Sequence, residues 1–388
     1  MSIISKHSYS LAKEDLTPIE LISLKKELVA KPLQSDSPNS FGKAKDINFG
    51  VFKETKTRIH IPKMYGILKF GKASKVSKNY QGHNTHVEFK GELYSRQLEP
   101  SESLYNACVT KGGGILNIPT GFGKTTIALH TLTRLKRCTL IIVNKISLLN
   151  QWVEEIKRFV PDAKIGIIQG QKFDTENKDI VIGMLQSMTQ IEYPEKVYEP
   201  FGTVIVDECH NTSTKLFSQI FYKVCCKYSI GLSATPNRGD GCEYVFKWHL
   251  GDLVHSNVIP QRKGNIPIIK SIKLKSDDYQ EISSINNGKK QIQFTSMISD
   301  LVLMQERNKV IVDTVKELAD SGRKVLLMSD RRNHIEILHN LLLNDDVSFT
   351  FGKFMGSMKL KDLNYTKDRK STRLNSSHER LSRMPSSA

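Results

Sequence analysis

The chain has 388 residues, with 57 Lys or Arg against 40 Asp or Glu, a formal charge of +17 at neutral pH. Hydrophobic residues make up 39% of it in short runs, which excludes a wholly disordered chain, and the length suggests two or three domains. No apolar run approaches the roughly 20 residues that cross a bilayer. The start, MSIISKHSYSLAKED, has no apolar region followed by a small-residue cleavage site, so a soluble intracellular protein is expected. The six cysteines (Cys108, Cys138, Cys209, Cys225, Cys226 and Cys242) show neither a CxxC pair nor zinc-like spacing and read as free thiols. The basic excess favours a polyanionic partner, with solubility as the competing explanation.

Residues 1–92 carry no nucleotide motif and read as a basic, β-rich N-terminal module. Pro18 to Ala30 (PIELISLKKELVA) has apolar residues at helical spacing, and a Ser/Pro/Asn-rich break follows at SDSPNS. From Ile47 to Lys90, segments such as VFKETKTRIHI alternate as short strands do. That stretch holds nine basic residues against Glu54 and Glu88, with Phe52, Tyr65, Phe70 and Tyr80 interleaved. Cations meet phosphates and rings stack on bases, so a nucleic-acid surface is one expectation here and a solvated β-rich face the other.

From Leu93 to about Val254 short apolar runs alternate with helical patterns: ILNIP, TLIIV, KIGII, DIVIG, TVIVD and SIGLS. Strands that are apolar throughout imply a parallel sheet covered on both faces. A second α/β unit is expected from about Ile266, through the strand IPIIKSIKL, a helical stretch from Met304 to Asp320 and the strand KVLLMS. The fold class is therefore α/β, built on parallel sheets.

Three motifs carry chemistry. Ile118 to Thr126 (IPTGFGKTT) lies between the strand ILN and the helix IALHTLTRL, where a phosphate-binding loop works. Gly121 and Gly123 let backbone N–H groups turn inward, and the helix N-terminus adds its dipole. Lys124 would reach the β and γ phosphates and the Thr125 hydroxyl would ligate Mg²⁺. The general pattern has Gly where this chain has Ile118. Asp207 and Glu208, in TVIVDECH, would place one carboxylate on the metal and leave the next to polarise the attacking water. The third motif, GLSATPNRGDG (Gly231 to Gly241), follows another apolar strand.

In this order PTGFGKT, DECH and SATP resemble motifs I, II and III of superfamily 2 helicases of the DEAD/DEAH-box-like kind, whose members tolerate other residues at the first loop position. The extension SATPNRGDG is similar to the XPB-like branch and to the transcript-release helicases of poxviruses and other large DNA viruses, as is the lead-in from Phe52 to Gly66. The resemblance implies a RecA-like P-loop fold that binds ATP through Gln97, Thr120, Gly121, Phe122, Gly123, Lys124, Thr125 and Thr126, with Gln97 reading adenine. It implies Mg²⁺ on Thr125 and Asp207, with Glu208 and Lys124 as catalytic groups. His210, Ser233 and Thr235 would couple hydrolysis to nucleic acid. VNKISLLNQW (Val143 to Trp152) resembles motif Ia and GMLQS (Gly183 to Ser187) motif Ib, which puts Lys145, Gln186 and Ser187 against the strand's backbone. Motif Ia prefers Pro-Thr where this chain has Asn144-Lys145. VLLMSDRRNHIEI (Val325 to Ile337) resembles motif IV, and GSMKLKD (Gly356 to Asp362) the stretch after it.

The resemblance covers about Leu93 to Lys367 and stops before motifs V and VI. From Asp368 the chain reads DRKSTRLNSSH, which resembles the translation of a common sequencing-library adapter, and then SRMPSSA, which resembles its far end after a variable index; a natural basic tail is the competing reading. Residues 368–388 are therefore set aside as an assembly artefact, which leaves 52 basic and 38 acidic residues, or +14. The expected organisation is the N-terminal module (1–92), helicase ATP-binding RecA-like domain 1 (93–255) and a partial, incomplete second RecA-like domain (256–367). Such a fragment is expected to bind ATP and to hydrolyse it poorly without the arginine of motif VI. The expected partner is nucleic acid, DNA rather than RNA, held through its phosphates in transcription or repair of a large DNA virus, with no membrane role. Nucleus, cytoplasm and viral factory stay open. Two rival functions remain: a P-loop nucleotidase acting on small molecules, and a non-catalytic nucleic-acid-binding fragment.

Overall fold

The computed structural model describes residues 1–33, 48–235, 239–256, 269–275, 279, 281–286, 289–345, 347–355 and 358. They fall into two compact units, one up to Arg262 and one from Lys263.

The first unit begins with β1 (Ser2–Ile4) and β2 (Tyr9–Ala12), then α1 (Pro18–Glu27). Helix α1 starts where its sequence dictates. Pro18 fills the first helical position, the Thr17 hydroxyl accepts from the Glu20 N–H at 3.2 Å, and the Glu20 carboxylate accepts from the Thr17 N–H at 2.7 Å. It ends three residues short of the expected Ala30, because Val29 and Ala30 pair as strand β3 (Val29–Ala30) with β4 (Phe49–Gly50). There follow β5 (Lys53–Glu54), β6 (Arg58–Ile61), α2 (Lys63–Phe70) and β7 (Lys75–Val76). The small sheet has the order β5-β6-β2-β1-β7 and closes on Ile4, Tyr9, Leu11, Ile59 and Ile61.

Between Ile47 and Lys90 seven of the nine basic residues (Lys53, Lys56, Lys69, Lys72, Lys75, Lys78 and Lys90) are exposed, but of the four interleaved rings only Phe70, 38% exposed, joins them. Tyr65 sits edge-on to Trp248 with ring centroids 5.6 Å apart, Phe70 stacks on Tyr9, and Tyr80 is buried. Lys63 is buried and donates to the carbonyls of Gly112, Cys226 and Lys227 and to the Ser229 hydroxyl, at 2.8 to 3.1 Å. Arg58 donates to Met1 and Ser10, Lys69 to Glu27, and Lys90 to Glu88. The rings pack because their burial removes large apolar areas from water. Composition alone could not say which way they would face.

The larger sheet is built from α3 (Ser95–Lys111), β8 (Gly113–Asn117), α4 (Lys124–Leu135), β9 (Thr139–Val143), α5 (Ile146–Phe159), β10 (Ile165–Gln169), β11 (Lys172–Phe173), β12 (Ile180–Met184) and α6 (Leu185–Gln190). It is completed by β13 (Thr203–Asp207), β14 (Tyr228–Ser233), α7 (Glu243–Leu250) and β15 (Leu253–Ser256). Eight strands run in the order β11-β10-β12-β9-β13-β14-β8-β15, parallel except for the short β10/β11 hairpin. All six apolar runs of the sequence are strands here. Every residue of β9, β12 and β13 is buried, because helices cover both faces of the sheet. Ile141, Trp152 and Ile205 pack on one side, and Leu140, Phe201 and Val206 on the other. The six cysteines are buried thiols outside any disulfide.

The second unit holds the hairpin β16 (Ser283–Asn286) and β17 (Lys289–Ile292), then α8 (Phe294–Leu303), α9 (Gln305–Asp320) and α10 (Arg332–Asn344). Its helices meet through Val312, Val315, Leu338 and Leu342. The helical stretch up to Asp320 is as expected, but the two expected strands are not. Residues 324–329 (KVLLMS) belong to no strand, with Leu326 and Met328 65% and 66% exposed, and residues 269–275 carry no strand. A strand needs a neighbour for its N–H and C=O groups, and among the described residues these two runs find none. Apart from Met358, the stretch Gly356 to Asp362 lies outside the described residues, as do 266–268 and the whole adapter-like tail.

Candidate active site

In a parallel sheet the carboxyl ends of the strands form one edge, and adjacent strands bring their following loops together. Strands β13, β14 and β8 are neighbours, so the acidic pair, the SAT segment and the glycine loop converge although Lys124 and Thr235 are 111 residues apart in the chain.

The loop leaves β8 with Ile118 fully buried, its N–H bonded to the Ser233 carbonyl, so the position where the general pattern has Gly serves this chain as a core anchor. Gly121 and Gly123 have φ of +79° and +100°, values that side-chain-bearing residues rarely adopt. Gly123 caps α4, and a Cβ there would collide with the Gln97 amide. Lys124, Thr125 and Thr126 form the first turn of α4, with Thr120 exposed on the loop before it. Gln97, buried on α3, donates from Nε2 to the Phe122 carbonyl at 2.8 Å and accepts from the Tyr94 N–H at 3.0 Å. It thereby ties α3 to the loop, and one amide N–H and one lone pair remain for a base.

The Lys124 ammonium donates to Glu208 Oε1 at 3.2 Å. Glu208 is held at φ +49°, the left-handed region, which a non-glycine residue occupies only where its surroundings impose it. Its other oxygen, Oε2, lies 3.5 Å from His210 Nδ1, and that nitrogen is 3.1 Å from the Ser233 hydroxyl. Ser233 Oγ in turn accepts from the Thr235 N–H at 3.2 Å. Lys124, Glu208, His210, Ser233 and Thr235 thus form one connected chain of contacts. Asp207 stands beside it, 9% exposed, with Oδ1 accepting from the Glu208 N–H at 3.0 Å and Oδ2 from the Trp152 indole N–H at 2.9 Å. Burial pushes its carboxyl above the ordinary value, and the Trp152 hydrogen bond opposes that shift.

The three candidate nucleic-acid residues lie on the same edge, since β9 and β12 are also neighbours. Lys145 precedes α5 and is exposed. Gln186 donates to the Asn144 carbonyl at 2.8 Å and the Ser187 hydroxyl accepts from the Gly170 N–H at 3.0 Å, so both brace neighbouring turns while staying half-buried. Two residues escaped the sequence reading. Trp152 looks like an ordinary core residue of an amphipathic helix, and Arg96, next to Gln97, lies over the Phe122 ring at 5.1 Å. Only folding places the first beside Asp207 and the second beside the loop.

An inward-turned glycine loop opening a helix, with Lys124 at its end, suits the phosphates of ATP. Asp207 and Thr125 offer a carboxylate and a hydroxyl, hard oxygen donors of the kind Mg²⁺ takes together with phosphate oxygens. Among the described residues no cluster of three metal-ligating side chains occurs, so these two would be the protein's share of such a site.

Fold and loop together define a P-loop enzyme with a RecA-like sheet. Residues 90–238 match the family described as "Type III restriction enzyme, res subunit", a helicase-family domain. The chain is 29% identical over 367 residues to a "putative ATP-dependent RNA helicase" of Acanthamoeba polyphaga mimivirus, covering 93% of this chain and 69% of that protein. It is 31% identical over 172 residues to a protein of the same description from African swine fever virus, covering 42% of this chain and 33% of that one. The crystal structure of the UvsW helicase from bacteriophage T4 superposes with a TM-score of 0.42 at 19% identity, over 61% of this chain and 93% of that one. By its helicase-family domain and its viral relatives the chain is an ATP-hydrolysing enzyme of the helicase type. No helix among the described residues is long and apolar enough to cross a membrane.

Proposed function

We propose that the chain is an ATP-dependent nucleic-acid helicase or translocase that couples hydrolysis of Mg²⁺-bound ATP to movement along a strand, DNA in the first instance, in transcription or repair of a large DNA virus. Residues 93–255 are the ATP-binding domain in this reading and 256–367 belong to a second RecA-like domain. The mimivirus and African swine fever virus relatives are named RNA helicases, which makes RNA the alternative outcome of the substrate test.

The observation that carries the reading is the contact between Lys124 and Glu208. A lysine that meets the γ phosphate must leave Glu208, and the freed carboxylate, fixed by its left-handed backbone and by His210, is then placed to take a proton from water. Mg²⁺ would be held by Thr125 and Asp207 and would offset the phosphate charge. The His210–Ser233–Thr235 contacts link that base to the end of β14, so a strand lying across the carboxyl edge of the sheet can bias the base's position. Binding of the strand through phosphates makes affinity fall with salt and show little sequence preference.

The test is ATP binding and phosphate release by the full chain, with and without single-stranded DNA or RNA. Lys124→Ala is expected to abolish binding, and Glu208→Gln to leave binding intact while lowering turnover by about 10²- to 10⁴-fold, the usual worth of a general base. Turnover that survives both changes refutes the assignment, and turnover indifferent to either nucleic acid points to a small-molecule nucleotidase.

A further inference from the structure

Trp152 has no part in the reaction as described above, yet it touches a buried carboxylate of the site. It lies on α5, whose first turn follows the exposed Lys145 at the carboxyl edge of the sheet. The side chain is 1% exposed, and its indole Nε1 donates to Oδ2 of Asp207 at 2.9 Å. The Glu208 N–H holds Oδ1, so the carboxylate is fixed between donors from two different elements. Buried indoles need an acceptor, and a backbone carbonyl would satisfy one equally well. Here the acceptor is an ionisable carboxylate.

We propose that Trp152 is a positioning residue for Asp207: it orients the carboxylate that would hold Mg²⁺, and it links that carboxylate to α5, the helix that opens beside Lys145. The proposal rests on the function proposed above. It adds a route from the nucleic-acid edge to the metal carboxylate that is separate from His210 and Ser233. A strand that shifts α5 moves Nε1 relative to Oδ2, and Asp207 follows. Outer-sphere donors of this kind change metal affinity or activity by about 10- to 100-fold when removed.

The experiment uses the full chain labelled with ¹⁵N-tryptophan. The chain has two tryptophans, so two indole N–H resonances are expected, assigned by Trp152→Phe. Addition of ADP with Mg²⁺, and separately Asp207→Asn, should move the Trp152 resonance and leave that of Trp248 in place. In parallel, Mn²⁺ binding in the presence of ADP is followed by electron paramagnetic resonance. Trp152→Phe should raise the half-saturating Mn²⁺ concentration about 10- to 100-fold while ADP affinity in EDTA is unchanged. Should that variant fail to fold, benzothienylalanine at position 152, which keeps the shape and lacks the N–H, is expected to give the same result. A Trp152 resonance blind to Mg²⁺ and ADP, together with Mn²⁺ affinity within two-fold of the parent chain, overturns the proposal. Neither readout needs turnover. A chain whose nucleotide binding is indifferent to Lys124→Ala sinks the proposed function instead.

Discussion

Acidification from pH 7 to pH 5 should remove about 2 kcal/mol of stability from the first unit through one side chain, His249. The residue lies on α7, 4% exposed, with its ring stacked on Phe221 at 4.3 Å between centroids and edge-on to Tyr222 at 5.6 Å. Its Nε2 has no hydrogen-bond partner. Burial pulls its pKa down from the ordinary 6.5 to about 3. Above pH 6.5 the ring is neutral folded and unfolded, so it makes stability no function of pH. Between about 6.5 and 3 the unfolded chain binds a proton that the folded chain refuses, and stability falls as pH falls. At pH 5 the gap is about 1.5 pH units at about 1.4 kcal/mol each, which gives the 2 kcal/mol. Urea unfolding followed by tryptophan fluorescence suits the test, because Trp152 and Trp248 both belong to the first unit. His249→Phe keeps an aromatic ring against Phe221 and removes the titration. The variant should lose about 2 kcal/mol less than the parent chain between pH 7 and pH 5, since all other groups act equally in both. Equal losses would refute the reasoning.

Two further changes test the scaffold around the site. Lys63→Met leaves the Gly112, Cys226 and Lys227 carbonyls and the Ser229 hydroxyl without their shared donor and should lower unfolding stability by roughly 3 kcal/mol, read as a fall in the urea midpoint. Gly123→Ala places a Cβ against the Gln97 amide at φ +100°, a strained backbone for any side chain, and should weaken ATP binding at least ten-fold along with a fall in the thermal midpoint; unchanged binding would mean that the loop is not the phosphate site.

How much of this was legible in the sequence follows from what periodicity and motifs encode. Strands buried on both faces must be apolar throughout, so TLIIV, DIVIG and TVIVD announced themselves and became β9, β12 and β13. The glycine loop and the acidic pair were legible because their chemistry demands those residues at that spacing. The N-terminal surface was legible only in part because composition does not fix direction: most of its lysines are exposed, but Tyr65 packs on Trp248, Tyr80 is buried and Lys63 serves three carbonyls. KVLLMS reads as a strand on any pattern, yet a strand is a property of two segments, and its described surroundings supply no second one. Gln186 and Ser187 carried motif-like identities while their side chains brace the Asn144 and Gly170 turns.

The acidic pair gathers these threads, because its two neighbours in sequence are held by different parts of the fold. Glu208 answers to Lys124 on α4 and to His210, which reaches Ser233 on β14. Asp207 answers to Trp152 on α5. A rigid β13 would transmit nothing by itself, since all five of its residues are locked in the sheet. What can move are the elements that begin at the sheet's carboxyl edge, and each of the two carboxylates is tied to a different one. A ligand at the loop acts first on Glu208 through Lys124, whereas a ligand at the start of α5 acts first on Asp207 through Trp152. Coupling of the two ligands then requires no long path: it is the one peptide bond between Asp207 and Glu208, whose N–H is itself bonded to the Asp207 carboxylate.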